Sequence, residues 1–363
     1  AERLRSGALA LKENGQKFGG DGLLRAVALT EQALTLVTRN ASPEHWAVLQ
    51  NGLGIALQEI GVRSEDPAWL TRAITANEAA LQVYTRDTLP EAWAMTQNNL
   101  GAAYRNLATR QQGEAATETL SRAIAAYDAA LQVYTRDALP EDWAMTQNNL
   151  GIAYHELAIR QQGEAATETL TRAIAAYDAA LQVYTRDARP EYWARTQNNL
   201  GNAYRNLATH QQGEAATKTL SSAIAAFDAA LQVRTRVALP VDWAMTQNNL
   251  GTAYGALATH QQGEAATETL TRAIAAFDAA LQVHTRDALP VHWATTHLNL
   301  AIAKEILGQQ DGQDLAQHLR DALHHCDLAL EVFDPDHMPQ YHQNATRYRA
   351  NVQAQLRALA PDA

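Results

Sequence analysis

Residues 140–158 read PEDWAMTQNNLGIAYHELA, and their pattern is that of one amphipathic helix. Mostly apolar side chains recur in it every three or four residues, which places them on one helical face. These are Trp143, Gln147, Leu150, Tyr154 and Leu157. Pro140 suits the first helical position, because no backbone N–H donor is needed there. The stretch therefore predicts a helix that starts at Pro140 and packs through its tryptophan-bearing face.

A second helix is predicted directly after the first. Gly163 follows the first pattern and can adopt the left-handed conformation that ends helices. Thr167 is expected to cap the next helix. The apolar stripe of that helix consists of Leu170, Ala173, Ile174, Tyr177, Leu181 and Tyr184. Neither helix can bury its stripe alone, so helices must pair and pairs must stack, with Gly151 expected to permit their close approach.

This two-helix unit is repeated along the chain with a period of 50 residues. The string QNNLG begins at Gln97, Gln147, Gln197 and Gln247; an earlier variant begins at Gln50 and a divergent one at His297. The loop QQGEAAT recurs unchanged from Gln111, Gln161, Gln211 and Gln261. A repeat of this length predicts a helical array that grows by adding units, rather than several globular domains.

The units resemble the tetratricopeptide repeat. Trp143, Leu150-Gly151 and Tyr154 match the first helix of that family; Ala173, Tyr177, Ala180 and Pro190 match its second helix and closing proline. The unit exceeds the usual length of about 34 residues and is most similar to the expanded repeats of kinesin light chains and bacterial signalling proteins. The resemblance implies an all-α fold, a right-handed superhelical α-solenoid of about six to seven antiparallel helix pairs.

The array is predicted to cover residues 1–333, with the 50-residue period between residues 90 and 310. Residues 334–363 are predicted to form a C-terminal capping helix, since residues 339–359 carry one apolar face. That face consists of Tyr341, Ala345, Tyr348, Val352 and Leu356. Ala301 and Lys304 depart from the repeat, so the last unit is expected to pack differently. Because the sequence begins with Ala1 within a helical pattern, we expect a processed protein or a fragment of a longer one.

Charge and composition disfavour several classes of partner. The formal net charge is −10 without any Lys/Arg-rich run, so we expect no nucleic-acid partner. No apolar run reaches about 18 residues, so no membrane span is predicted. Cys326 is the only cysteine, which fits a reducing compartment, and we predict a cytoplasmic protein.

The resemblance implies that the first helices of the units line a concave, peptide-binding groove. The helix face turned away from the tryptophan stripe would supply the contacts, and several of its positions vary between otherwise near-identical repeats. The predicted peptide-binding residues are Met95, Asn98, Asn99, Arg105, Met145, Asn148, Asn149, Ile152, His155, Arg195, Asn198, Asn199, Asn202, Arg205, Asn248 and Asn249.

The paired asparagines have two interpretations. A side-chain amide both donates and accepts hydrogen bonds, so a row of amides can hold an extended peptide backbone. Alternatively, one asparagine of each pair bonds to the neighbouring repeat and holds the array together. We expect the second asparagine to do so, for example Asn149 rather than Asn148, because it lies nearer the packed face.

Positive charge is predicted in the middle of the groove at Arg105, Arg195 and Arg205, with His155 beside them. Arginine pairs bidentately with carboxylates. We therefore predict a partner segment that is acidic or ends in a free carboxylate, with an apolar side chain near Met145. The alternative is that these arginines are simply solvated.

No catalytic site or cofactor is predicted, because the sequence contains no recognisable triad, phosphate-binding loop or metalloprotease motif. His324, His325 and Cys326 are conceivable metal ligands. They are consecutive on a predicted helix and point in different directions, so we predict no metal site.

The sequence therefore predicts a non-catalytic scaffold that binds a protein or peptide and can also self-associate through its ends. The alternative is a sensor or regulatory region of a larger bacterial signalling protein, joined to a caspase-like peptidase or a nucleotide-switch domain.

Overall fold

The structure is a computed structural model that describes residues 21–310 and 312–359. The chain divides into two compact units between Tyr184 and Thr185. The described part of the first unit contains α1 (Gly22–Leu36), α2 (Pro43–Arg63), α3 (Ala68–Ala80), α4 (Pro90–Ala108), α5 (Gly113–Ala130), α6 (Pro140–Ala158) and α7 (Gly163–Leu181). That of the second contains α8 (Pro190–Ala208), α9 (Gly213–Leu231), α10 (Pro240–Ala258), α11 (Gly263–Leu281), α12 (Pro290–Gly308), α13 (Leu315–Leu330) and α14 (Pro339–Leu359).

Antiparallel helix pairs are the building block of both units. The pairs are α2 with α3, α4 with α5 and α6 with α7 in the first unit, and α8 with α9, α10 with α11 and α12 with α13 in the second. We call the earlier member of each pair the first helix. Within each unit, every first helix also contacts the first helix of the next pair. The described residues contain no β-strand, and the predicted all-α fold of stacked pairs is confirmed.

Proline and glycine set where the helices begin. Each first helix from α2 to α12 has a proline at its start, as predicted for Pro140. Gly163 has a φ of 60°, the left-handed conformation that its position required. The expectation that Thr167 caps the second helix is wrong, because that helix already begins at Gly163. The Thr167 hydroxyl instead donates to the Gly163 carbonyl oxygen at 3.2 Å.

An aromatic ring of the second helix lies against a glycine of the first helix in four pairs. These rings belong to Tyr127, Tyr177, Phe227 and Phe277, and all are almost fully buried. A Cβ atom added to Gly151 would lie 2.6 Å from Cε1 of Tyr177, which confirms the predicted close approach. The repeat tryptophans, from Trp46 to Trp293, are only half-buried and pack at the margins of the apolar clusters.

The terminal helix α14 packs on α13 and buries Ala345 and Val352. Tyr341, at its start, is 51% exposed but stacks on Phe333 with ring centroids 5.2 Å apart. The Tyr348 hydroxyl donates to the Glu305 carboxylate of α12. The first 20 residues of the predicted array lie outside the described residues. Among the described helices, none combines the length and apolar character needed to cross a membrane.

Candidate peptide-binding surface of the first helices

Hydrogen bonds between asparagine side chains join successive first helices. In the first unit, Thr146 Oγ1 and Asn149 Nδ2 each donate to Asn98 Oδ1 at 3.3 Å. The second unit repeats this arrangement, with Thr246 Oγ1 and Asn249 Nδ2 each 3.2 Å from Asn198 Oδ1. The same acceptor role falls to Asn51 in the first unit, for Thr96 and Asn99, and to Asn248 in the second, for Asn299. The structure therefore contains the bonds that the second interpretation expects, in which asparagines join neighbouring repeats.

Burial distinguishes the two asparagines in three of the four pairs; Asn248 and Asn249 are both half-buried. Asn98 and Asn198 are each 7% exposed and Asn148 is 1% exposed, whereas the second asparagine of each pair is half-buried. The expectation that the second asparagine bonds to the neighbouring repeat is confirmed by Asn149 and Asn249, but the expectation that it lies nearer the packed face is wrong. Asn98 and Asn198 lie on the side where the next first helix stacks, so their oxygens are enclosed by that helix. Burial therefore does not support peptide contact by Asn98, Asn148 or Asn198.

The other predicted site residues keep accessible surface. Met95 and Arg195 are exposed. The half-buried ones are Asn99, Arg105, Met145, Asn149, Ile152, His155, Asn199, Asn202, Arg205, Asn248 and Asn249. Arg195 lies over the Tyr192 ring, with its Cζ 4.9 Å from the ring centroid. Arg195 and Arg205 are ten residues apart on α8, or about 15 Å along the helix axis, so they form two separate positive positions.

A polar cluster, which the sequence analysis did not assemble, surrounds Arg105 in the first unit. The positive charge of Arg105 acts on the carboxylate of Glu156, on α6, and on the hydroxyl of Tyr127, on α5. Burial raises the pKa of Glu156, and the charges of Arg105 and Arg160 partly oppose that rise. Arg105 Nη2 donates to Asn106 Oδ1 at 3.0 Å. The charge of Arg105 thus acts on a carboxylate within its own unit, although Arg105 Nε and Glu156 Oε2 have no hydrogen-bond partner among the described residues.

The second unit keeps the arginine at the first of these three positions and carries different residues at the other two. Arg205 takes the place of Arg105, Phe227 that of Tyr127 and Ala256 that of Glu156. Burial lowers the pKa of Arg205, and no neighbouring charge opposes this shift. Its one described hydrogen bond is a long one, 3.5 Å from Nη2 to Asn206 Oδ1. Within residues 185–310 and 312–359, no carboxylate lies at ion-pair distance from Arg205.

Several solved helical repeat proteins have a similar structure. The C-terminal part of a TPR repeat-containing protein from Cytophaga hutchinsonii matches with a TM-score of 0.51 at 13% identity, covering 94% of this chain and 97% of that chain. The apo form of RapI gives a TM-score of 0.44 at 13% identity, covering 98% of each chain. A STAND signal-transduction ATPase with a tetratricopeptide repeat sensor, from Pyrococcus horikoshii, gives 0.43 at 12% identity, covering 100% of this chain and 54% of that chain. No protein-family model matches the sequence, and no curated protein matches it.

The fold is that of a tetratricopeptide repeat protein. The stacked antiparallel pairs and the Cytophaga similarity together show it, in agreement with the resemblance carried by Leu150-Gly151 and Tyr154. Tetratricopeptide arrays bind many unrelated molecules, so the fold does not name a ligand, and the chemistry of individual side chains must indicate one.

One buried ionic site in this tetratricopeptide array was missed by the sequence analysis. Arg234 is only 6% exposed and stands at the repeat position that Tyr134 and His284 occupy elsewhere. Its guanidinium donates to Thr246 Oγ1 at 3.0 Å and lies 3.5 Å from an Asp242 carboxylate oxygen. The sequence did carry a signal for this site. An arginine, Arg234, stands where the two preceding near-identical repeats have a tyrosine. Because Arg234 has this internal partner, its role in the structure is stabilisation of the α9–α10 junction.

The candidate metal ligands of α13 point in different directions, as their consecutive positions require. The Cys326 side chain is fully buried in an apolar cluster, and burial raises the pKa of its thiol to about 12. His325 instead faces α12, where its Nδ1 lies 2.9 Å from Nδ1 of His297. Among the described residues, no group of three metal-ligating side chains is suitably placed for an ion.

Proposed function

We propose that this chain is a binding scaffold whose first helices hold a segment of another protein, and that the segment carries a carboxylate. The observation that carries this proposal is the half-buried Arg205, which has no acidic partner in its unit. A guanidinium that has lost part of its hydration gains from a carboxylate that reaches it, and it binds such a group bidentately.

The neighbouring surface suits a polypeptide. Half-buried amides of Asn199, Asn202 and Asn249 lie on the same first helices as Arg205 or on the next one. Such amides can donate to and accept from a peptide backbone without regard to its sequence. Met245 and Ile302, 36% and 38% exposed on α10 and α12, offer apolar contact to side chains of the bound segment.

Long-range electrostatic attraction does not favour the proposed partner. The net charge of −10 repels an acidic segment on average. Local contacts at individual arginines would therefore have to supply the affinity. We expect a slow association rate that rises with added salt, because salt screens the average repulsion more strongly than the half-buried contact at Arg205.

The proposal is tested by capturing partners from native lysate on the immobilised chain and identifying them by mass spectrometry. The variants are Arg205→Gln, which removes the charge at similar size, and the matched control Arg272→Gln. Arg272 is an exposed arginine of α11, in the same unit, that pairs with Glu268 at 2.5 Å. Thermal unfolding of both variants checks that the array is intact.

We expect a specific partner with an acidic segment to be retained by the parent chain and by Arg272→Gln, and to be lost with Arg205→Gln. Retention of every specific partner by Arg205→Gln would refute the proposal. So would the absence of any partner that survives a wash in about 0.15 M salt, the physiological ionic strength.

A further inference from the structure

A wide cleft lies between α12 and the terminal helix α14 in the second unit, with a volume of about 560 Å³. We call it the α14 cleft. It is lined by Leu298 and Ile302 from α12 and by Asn344, Arg347, Tyr348 and Asn351 from α14. The volume lies within the range of about 300–1,000 Å³ that is typical of ligand sites. The α14 cleft is therefore large enough for more than one side chain of a bound molecule.

The helix α14 continues the row of first helices. Like them it begins with a proline, which stands 49 residues after the proline that begins α12. In this alignment Arg347 takes the position of Leu298 in α12. Asn351, one helical turn later, takes the position of Ile302. Because all four residues line the α14 cleft, the cleft lies on the face of the first helices that the proposed binding surface uses.

Arg347 supplies positive charge to the α14 cleft. It is exposed, and the other described residues that line the cleft are uncharged. In residues 185–310 and 312–359, no carboxylate forms an ion pair with it. Asn344 stands three residues before it and Asn351 four residues after it, so both lie on the same face of α14. A carboxylate in the cleft would therefore meet a bidentate donor with an amide on either side.

The α14 wall of the cleft is fixed in place by a buried carboxylate of α12. Glu305 is only 8% exposed. One of its oxygens accepts from the Tyr348 hydroxyl and the other from the Gln355 amide, both on α14. These bonds hold the two helices together below the cleft, and a preorganised surface loses less conformational freedom on binding.

An apolar pocket of about 220 Å³ adjoins the α14 cleft on the other side of α12, and Ile302 lines both. Its volume suits one side chain. The polar groups in its lining bond within the protein: Thr252 Oγ1 donates to the Asn248 carbonyl oxygen at 2.9 Å, and Asn299 Nδ2 donates to Asn248 Oδ1 at 3.1 Å. The pocket between α10 and α12 therefore favours an apolar side chain.

This pocket carries no charge because two positions differ from their repeat equivalents. Gly255 stands at the position of Arg105 and Arg205, and Ile306 stands at that of Glu156. A Cβ atom added to Gly255 would find no atom within 4 Å. The missing side chain at Gly255 thus leaves open space in the pocket.

We propose that the α14 cleft and the adjoining pocket together bind one polypeptide segment, with a side-chain carboxylate on Arg347 and an apolar side chain between α10 and α12. Neighbouring helices lie about 8–10 Å apart, and an extended chain rises about 3.3 Å per residue. The acidic and the apolar residue of the segment therefore stand within about four positions of each other. The inference rests on the proposed scaffold function, but its carboxylate site is Arg347 and does not involve Arg205.

The probes are random dodecapeptides displayed on phage and selected on the immobilised full chain. Their C-termini are joined to the coat protein, so only side-chain carboxylates are available. We expect enriched peptides to carry Asp or Glu within about four positions of a large apolar residue. The enriched peptides are then synthesised with an amidated C-terminus and titrated by isothermal calorimetry, each beside a copy in which the acidic residue is changed to its amide. The amide copy should bind the parent chain about tenfold or more weakly.

Two substitutions test the two parts of the site. Arg347→Gln removes the charge and Gly255→Leu fills the apolar pocket, and each should weaken the acidic peptide about tenfold or more. On Arg347→Gln the acidic peptide and its amide copy should bind alike. The matched controls are Arg357→Gln, at an exposed arginine of the same helix, and Gly52→Leu on α2, where an added Cβ also meets no atom within 4 Å. Both controls should bind like the parent chain.

The inference is overturned if no peptide is enriched, if the acidic peptide and its amide copy bind the parent chain equally, or if Arg347→Gln still distinguishes them. The first two outcomes need no variant, so a misfolded variant does not prevent a decision. A preference for the acid that disappears with Arg205→Gln but persists with Arg347→Gln would support the proposed function and refute the α14 cleft. The reverse result, with native partners that survive Arg205→Gln, would refute the carboxylate at Arg205 and support the α14 cleft.

Discussion

Asn249 donates a 3.2 Å hydrogen bond from its side-chain amide to Oδ1 of Asn198, which stands 51 residues earlier in the chain and is 7% exposed. The Thr246 hydroxyl lies 3.2 Å from the same oxygen, but its single hydrogen has a closer acceptor in the Asp242 carbonyl oxygen at 2.8 Å. One buried amide oxygen thus accepts from the next first helix. The asparagines lower the intrinsic helix propensity of their own segment, and the structure uses them to fix how the next pair stacks.

Asn198→Ala is expected to lower the free energy of unfolding by about 1–3 kcal/mol, because it removes a buried acceptor and leaves the Asn249 amide without that partner. Urea unfolding measures the loss. The control is Asn202→Ala, since the Asn202 amide donates at 3.2 Å to the Asn198 carbonyl oxygen of its own helix. A similar loss in both variants would mean that the contact between helices has no particular weight.

Gly151→Ala is expected to cost about 1–3 kcal/mol, although alanine is the better helix former. The added Cβ atom would lie 2.6 Å from Cε1 of Tyr177, on a ring that is almost fully buried. The matched substitution Gly255→Ala meets no atom within 4 Å and should stabilise the chain by about 0.5–1 kcal/mol. Thermal unfolding of the two variants should therefore shift in opposite directions, and equal shifts would contradict the packing argument.

Asn77→Leu is expected to stabilise the first unit by about 1–3 kcal/mol. Asn77 is fully buried, and neither its Oδ1 nor its Nδ2 has a hydrogen-bond partner among the described residues. Leucine has a similar shape and needs no partner. Asn51→Leu serves as the contrast, because Asn51 Oδ1 accepts bonds from Thr96 and Asn99, and this variant should lose stability. Denaturant titration decides, and a destabilised Asn77→Leu would indicate a ligand or water at the amide.

Stability is expected to fall as the pH is lowered from 6.5 to 4. Burial first, and neighbouring positive charge second, lower the pKa of His284, His297 and His325 from the ordinary 6.5 to about 4. The unfolded chain therefore takes up protons in this range while the folded chain does not, so stability present above pH 6.5 is lost progressively. The loss is at most about 3 kcal/mol for one such histidine.

Thermal unfolding between pH 7.5 and 4 tests this expectation. His284→Gln should flatten the pH dependence, whereas the same change at the exposed His260 should leave it unaltered. A pH profile identical in His284→Gln and the parent chain would show that burial of this ring does not control the acid response.

The local sequence pattern was sufficient to predict the helices themselves. The start of α6 at Pro140, the left-handed Gly163 and the glycine under the Tyr177 ring all follow from spacing and backbone chemistry. The start of the second helix was misjudged by four residues at Thr167, because a glycine at positive φ can be the first residue of a helix as well as follow its end.

The side on which the Asn198 side chain is buried, by contrast, could be known only from the stacked helices. The apolar stripe of a helix has no sharp boundary, and the two adjacent asparagines both lie close to its edge. Only the position of the next first helix decides which of the two is enclosed. The carboxylate near Arg105 was likewise beyond the sequence, since Glu156 stands about 50 positions later and comes near Arg105 only once the pairs have stacked.

The amino-acid sequence by itself determined the helical pair, its period of 50 residues and the small residue required where the helices touch, because these depend on contacts between near neighbours in the chain. Tertiary structure alone decided that the charge of Arg105 acts on Glu156 of the next pair, whereas no neighbouring charge acts on Arg205. That difference depends on which side chain of one repeat lies beside a charge on another, and helical periodicity holds no information about it.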